Sequence, residues 1–417
     1  MASSDFTQRA RELDLGDPLR AYRAEFFGTS AVEQAEYPGM PVAYFDGNSL
    51  GRPLRKSIER LSSFAQTAWG TRLIRSWDEQ WLNLPLELGD KIGAAALGAA
   101  PGQTFVGDST SVLIYKMARA VIAARPGRTE IVLDTDNFPT DRYLLEGIAD
   151  ELTMTLRWIE ADTHSGVTPE QVAAVVNDNT ALVLLSHVAY RSGFMADAPA
   201  ITQITHDAGA LIVWDLSHSV GSVLVELDAW NVDIAVGCSY KYLCGGPGAP
   251  AWAYVRKDLQ TQIEQPIQGW WGTKNMFMMG PGYDPENDLR RFITGTAPVV
   301  SMQAMIDPVE LIGSVTMEAI REKSLLLTQF VIDYADTELA ELGVTVATPR
   351  EAQHRGGHVT LNHPHMREVN ALLWKEDIIP DYRDPHGLRI GLSPLSTSFE
   401  EVFIGLERVK ETLHSLG

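Results

Sequence analysis

Between Phe105 and Val255 the chain repeats one phrase: a short continuous apolar run, a turn, a helical pattern, then another apolar run. The runs are Ile131-Val-Leu133, Ala181-Leu-Val-Leu-Leu185, Leu211-Ile-Val-Trp214, Ile234-Ala-Val236 and Ala251-Trp-Ala-Tyr-Val255. Strands that are apolar throughout, rather than at every second residue, are buried on both faces, and the intervening helices supply the cover. The pattern predicts an α/β fold on a mainly parallel sheet flanked by helices, with ligands at the carboxyl ends of the strands.

The rhythm stops at a Gly/Pro-rich stretch, Gly245-Gly-Pro-Gly248 and then Gly280-Pro-Gly-Tyr283. A long helical pattern from Ser301 to about Leu342 follows, and beyond it Val344-Thr-Val346, Gly357-His-Val-Thr-Leu361 and Leu388-Arg-Ile-Gly-Leu392 read as strands, with Phe399 to Leu416 as a closing helix. That block is expected to be a smaller α+β domain. At 417 residues, 45% of them hydrophobic, the chain exceeds one small core. We therefore divide it into a large domain over 61–304, a C-terminal small domain with its linking helix over 305–417, and an N-terminal segment over 1–60 that joins the small domain. No internal repeat, low-complexity tract or heptad pattern is evident.

Charge and cysteines narrow the function. With 34 Lys and Arg against 54 Asp and Glu, the net charge of −20 repels phosphate backbones and anionic membranes, so neither nucleic acid nor a membrane is an expected partner. The Met-Ala-Ser-Ser-Asp start lacks a charged leader followed by an apolar stretch, no run approaches membrane-spanning length, and Cys238 and Cys244 are the two cysteines present. These features read as cytoplasmic, with the cysteines as small core residues. His354, His358, His363 and His365 cluster, yet Gly356-Gly357 and Pro364 prevent a shared helical face, and metal binding is not expected. Neither a Gly-x-Ser-x-Gly elbow nor a Walker A sequence is present.

Asp215 ends one apolar run, and Lys241 follows the next, Asp233-Ile-Ala-Val-Gly-Cys-Ser239. An acid at one buried strand end and a lysine after its neighbour is the spacing that holds pyridoxal 5′-phosphate: the lysine forms the Schiff base and the acid pairs with the ring nitrogen. Lys241 taken alone reads more simply as an ordinary surface lysine after a strand, and its companions change that reading. Thr110 and Ser111 open a helical pattern and offer an anion site for a phosphate, or a plain helix cap. Phe138, in Phe138-Pro-Thr-Asp141, could lie over a flat cofactor with Asp141 nearby, or be a core residue beside a proline turn. His218, three residues after Asp215, could order the site or satisfy local backbone. Arg389, between apolar neighbours, suits bidentate capture of an α-carboxylate, and its bland alternative is a salt bridge.

These residues, with Tyr44-Phe-Asp-Gly-Asn-Ser-Leu-Gly51, Leu73-Ile-Arg-Ser-Trp77, Asp136-Asn-Phe-Pro-Thr-Asp141, Ser239-Tyr-Lys-Tyr-Leu243 before Gly245-Gly-Pro-Gly248, Gly269-Trp-Trp-Gly272 and Arg291-Phe-Ile-Thr-Gly-Thr296, make the chain resemble kynureninases of the bacterial type. That family lies in the aminotransferase class V branch of fold-type I. The resemblance implies a seven-stranded, mainly parallel sheet and hydrolysis of the Cβ–Cγ bond of L-kynurenine to anthranilate and L-alanine, in tryptophan catabolism by the kynurenine pathway and with a link to NAD biosynthesis. It implies that Lys241 carries the cofactor, Asp215 pairs with its nitrogen, Phe138 stacks on it, and Asp141 and His218 surround it. Thr110, Ser111 and Tyr240 would bind phosphate, joined by Trp270 and Thr296 of a second subunit, which makes the expected assembly a homodimer with shared sites. Tyr240 would also relay a proton. Ser49 and Arg389 would hold the substrate, and Trp77, Gly295 and Thr296 match the pattern that favours L-kynurenine over its 3-hydroxy form.

Alternatives remain at this level: the same reaction on a ring-substituted kynurenine, a class V aminotransferase, or a non-catalytic cofactor-binding protein. A cysteine desulfurase would need a mobile cysteine well after the lysine, whereas the cysteines here flank Lys241. Ala189, Phe194 and Cys244 depart from the family pattern and bear on the substrate.

Overall fold

The structure, a computed structural model, describes residues 3–416. Its central sheet has seven strands: β1 (Thr104–Val106), β2 (Glu130–Asp134), β3 (Thr155–Ile159), β4 (Thr180–Ser186), β5 (Leu211–Asp215), β6 (Ile234–Gly237) and β7 (Trp252–Val255). Their spatial order is β1-β7-β6-β5-β4-β2-β3. Strand β7 runs against both neighbours, and every other pair is parallel. The expected mainly parallel, seven-stranded α/β fold is therefore the one found.

Burial explains which strands the apolar runs revealed. Every residue of β5, β6 and β7 is buried, as helices on both sides of the sheet require. Edge strand β3 alternates exposed and half-buried residues up to Ile159, so Thr155-Leu-Arg-Trp carries no continuous apolar signal and escaped the sequence reading.

The C-terminal block builds a four-stranded antiparallel sheet from β8 (Thr345–Val346), β9 (His358–Asn362), β10 (Asp381–Arg383) and β11 (Gly387–Gly391), in the order β10-β11-β9-β8. A second hydrophobic core gathers on it from Phe6, Phe45, Phe330, Val359, Ile390 and Leu406. The N-terminal segment reaches both cores. Ala43–Tyr44 pairs in parallel with Ile378–Ile379, and Arg52 meets Glu401 at 2.9 Å out of solvent, while Leu19, Phe26 and Leu54 belong to the core of the large sheet.

The linking helix differs from its expectation. In place of one helix from Ser301 to about Leu342 there are two, Val299–Val315 and Met317–Tyr334, divided at Thr316, whose φ of 79° no right-handed helix accommodates. Gly313-Ser314-Val315-Thr316 is a run of weak helix formers. Because apolar spacing resumes on the far side, periodicity alone does not register the break.

Candidate active site

The carboxyl ends of β2, β4, β5 and β6 meet β10 and β11 around a cavity of about 280 Å³. In-register pairing puts Ser186, Asp215 and Val236 side by side at the ends of β4, β5 and β6. The Asp215 carboxylate accepts the Ser217 amide at 2.8 Å, which fixes it at the cavity floor.

Lys241 lies on the turn after β6. Gly51 donates its amide to the Tyr240 carbonyl at 2.8 Å, and a Cβ there would stand 2.4 Å from the Lys241 carbonyl oxygen. Only glycine permits that approach, and it brings the neighbouring Ser49 to the cavity wall. Burial pushes the Lys241 amine below its ordinary pKa, against the pull of Cys238 and Asp215. Its Nζ stands over the Phe138 ring, and Phe138 stays 37% exposed although aromatic, because its face opens on the cavity.

Asp141 comes from the first turn of the helix Pro139–Leu152 and is buried with Oδ2 unpartnered. Burial, followed by the negative charges of Asp215 and Asp134, raises its pKa well above the usual carboxylate range. His218 is buried with Nδ1 unpartnered and meets the His358 ring edge to face at 5.6 Å. Burial, with Lys241 and Arg389 nearby, holds its pKa far below 6.5, so the ring is neutral. Tyr240 also faces the cavity, and burial pushes its phenol pKa upward.

Thr110 and Ser111 begin the helix Thr110–Ala123. The first amides of a helix have no intrahelical acceptor, and the Ser109 hydroxyl caps only that of Val112, at 3.4 Å. This leaves an anion-binding end facing the cavity. Behind it Lys116, wholly buried, joins Asp108 at 2.9 Å to the Thr294 hydroxyl at 2.7 Å and to the Phe292 carbonyl.

On the opposite wall Arg389 donates to the Tyr190 carbonyl at 2.7 Å and to the Ser49 hydroxyl at 3.2 Å, and it ion-pairs with Asp381. Its Nε is sealed from solvent without a partner. Asp381 also stands 3.0 Å from the Nε of Arg383, an ion pair without hydrogen-bond alignment. Arg383 lines the cavity and was not picked from the sequence. The available signal was Asp381-Tyr-Arg383 before Arg389: in a hairpin of this length Asp381 falls opposite Arg389.

Ten of the residues selected from the sequence thus share one cavity. Four do not. Trp77 and Thr296 border a separate apolar concavity with Trp69, Leu73, Ile74 and Val300, and Ile74 is 72% exposed there. Trp270 packs against Trp77, with centroids 6.4 Å apart, and a Cβ on Gly295 would meet nothing within 4 Å. The departures from the family pattern also lie outside the lining of the Lys241 cavity. Ala189 and Phe194 close a tight loop, with Phe194 stacked on His354, and Cys244 is buried at a φ of 52°. The remaining histidines are dispersed: His363 faces His365 at 5.4 Å, and His358 lies inside beside His218.

Comparison with known proteins adds to this geometry. Residues 320–408 match the family model of the kynureninase C-terminal domain. The chain is 38% identical over 413 residues to a kynureninase of Burkholderia pseudomallei, covering 97% of this chain and 95% of the relative. It is 38% identical over 408 residues to a kynureninase of Pseudomonas fluorescens, covering 96% and 94%. Among solved structures, the cystine C–S lyase C-DES in complex with cysteine persulfide superposes with a TM-score of 0.77 at 16% identity, over 88% of this chain and 97% of the other. The cysteine desulfurase CsdA of Escherichia coli gives 0.76 at 14% identity, over 94% and 98%. At such identities the structural likeness speaks for the fold.

Proposed function

Since the chain belongs to the kynureninase family, we propose that it hydrolyses the Cβ–Cγ bond of L-kynurenine to anthranilate and L-alanine, using pyridoxal 5′-phosphate in the cavity around Lys241. The observation that carries this reading is the meeting of Lys241, Asp215 and Arg389 in one cavity.

The residues fit the cofactor. Its phosphate needs amides and hydroxyls, which the helix start at Thr110 and Ser111 offers; its ring needs an aromatic face and an acid for its nitrogen, and Phe138 and Asp215 supply them. Asp141, raised in pKa, and neutral His218 add buried polar atoms that still lack partners. When bound, pyridoxal phosphate supplies an electron sink for cleavage at the α and β carbons of an amino acid.

The chain's own groups then divide the work. Lys241, its basicity reduced by burial, is suited to take the α-proton of the substrate and return it. Asp215 favours a proton on the ring nitrogen. Arg389 lines the cavity with its Nε unpartnered, the donor left for the α-carboxylate, while Nη2 is already engaged by Asp381 and Ser49. Tyr240, with a raised pKa, remains protonated and can deliver a proton to Cβ as water cleaves the γ-ketone.

Preference for L-kynurenine over 3-hydroxykynurenine rests on Trp77, Gly295 and Thr296, which reach a site only if a second copy contributes them. The exposed apolar concavity around Trp69, Leu73 and Ile74 supports such a homodimer, with Trp270 and Thr296 serving the neighbour's phosphate. A cytoplasmic enzyme accords with two buried, unpaired cysteines. The direct test is release of anthranilate and alanine from L-kynurenine by the purified protein with cofactor. Transfer of the amino group to a keto acid without ring release would replace this reading by that of an aminotransferase.

A further inference from the structure

Arg389 belongs to a charge cluster larger than its own ion pair. Its Nη2 shares the Asp381 carboxylate with Arg383, and the Ser49 hydroxyl that accepts from that nitrogen lies beside a second carboxylate, Asp46, whose charged form it favours. Asp46 begins the turn that carries Ser49: the amides of Ser49 and Leu50 donate to its carbonyl at 2.9 and 3.0 Å, and a bridge to Gly391 holds it against β11. Its Oδ1 has neither solvent contact nor a hydrogen-bond partner. The titratable and charged groups around it are Tyr44 of its own segment, Asp381 and Arg383 of β10, Arg389 of β11, and Tyr242 of the Lys241 turn.

Two carboxylates face two guanidiniums, and the cluster is balanced. A substrate carboxylate arriving at Arg389 makes three anions against two cations where little water can reach, and the excess favours protonation of whichever acid is held least firmly in its charged form. Asp381 is engaged by both arginines. Asp46 offers a free oxygen, and burial together with the negative charge of Asp381 already lifts its pKa to about 6, against the hydrogen bond from Ser49.

We propose that Asp46 is the proton acceptor of substrate binding: a carboxylate docking on Arg389 raises the share of Asp46 that carries a proton, taken up from solvent onto Oδ1. One O–H bond forms there as one breaks in the hydronium ion or buffer acid that supplies the proton, and no electrons are transferred. The inference rests on the reading of Arg389 as the carboxylate seat. It gives Asp46 a charge-balancing role outside the chemical step.

The test compares holoenzyme with its Asp46→Asn variant. Calorimetric titration with L-alanine at pH 7, in two buffers of different ionisation heat, counts protons bound, and the variant should take up fewer. If docking raises the proton affinity of Asp46 by one unit, KM for L-kynurenine should rise about tenfold between pH 5 and pH 8 in the parent. That rise should vanish in the variant, which should bind more tightly at pH 8. Equal proton counts and equal slopes overturn the proposal. Arg389→Gln separates the premise: unchanged KM there removes the carboxylate seat itself, whereas a weakened KM beside an undiminished slope in Asp46→Asn removes only the role of Asp46. Should Asp46→Asn not fold, Ser49→Ala carries the test, because losing the hydroxyl that favours charged Asp46 must move the KM rise to higher pH; an unmoved rise overturns the proposal as well.

Discussion

The Nζ of Lys241 lies 5.9 Å from the centre of the Phe138 ring, with Asp215 lining the same cavity. A lysine whose amine is buried beside an open aromatic face is placed to hold a flat carbonyl compound covalently. The purified protein should be yellow, and borohydride should fix the cofactor on Lys241, as peptide mass mapping will show. Lys241→Ala should lose turnover by several orders of magnitude while retaining phosphate contacts. An adduct on another lysine refutes the assignment.

Asp215 and Arg389 should fail differently. If Asp215 partners the ring nitrogen, Asp215→Ala should lower kcat together with cofactor retention. Arg389→Ala deletes a charge-assisted pair of roughly 1.5–3 kcal/mol, which corresponds to about a ten- to hundredfold rise in KM. Steady-state kinetics on both variants separates the two effects, and an arginine variant with unchanged KM contradicts the carboxylate role.

The exposed concavity bordered by Trp77 and Thr296 should be covered by a second copy. Lys241→Ala and Trp270→Ala, each impaired alone, should regain activity when their subunits exchange, because one site of each heterodimer is then intact. Failure to recover despite exchange, followed by native mass spectrometry, returns Trp270 to its own subunit.

L-kynurenine should be preferred over 3-hydroxy-L-kynurenine. If a second copy brings Trp77 and Thr296 to the substrate ring, they offer an apolar wall and a short hydroxyl, and an unpartnered ring hydroxyl buried there costs roughly 1–3 kcal/mol, or about a five- to 150-fold preference in kcat/KM. Competition of both substrates in one reaction, with the two anthranilates quantified, decides it. An excess of 3-hydroxyanthranilate reverses the specificity and leaves the reaction type intact.

Much of the fold was legible because buried strands announce themselves: Leu211–Trp214 and Ile234–Val236 are apolar from end to end, Asp215 closes the first run and Lys241 follows the second. Strand β3 was hidden by its one-sided cover, and the turn at Thr316 by periodicity that continues on both sides. In the site, residues tied to a local motif were visible. Arg383 lay in no motif, since its importance arises from a cross-strand register, and Asp46, although inside the Tyr44–Gly51 motif, was not singled out because its importance arises from a turn that meets the small sheet.

The buried Lys116 has a consequence for attempts to re-engineer the enzyme. Its one ammonium joins Asp108, two residues before Thr110, to the Phe292–Thr294 stretch that leads into Gly295 and Thr296. The two loops therefore cannot be redesigned independently. A lengthened or shortened loop after Phe292, introduced to admit a different aromatic ring, will pull on the mooring of the phosphate loop, and its first symptom should be a protein that loses its colour on dialysis.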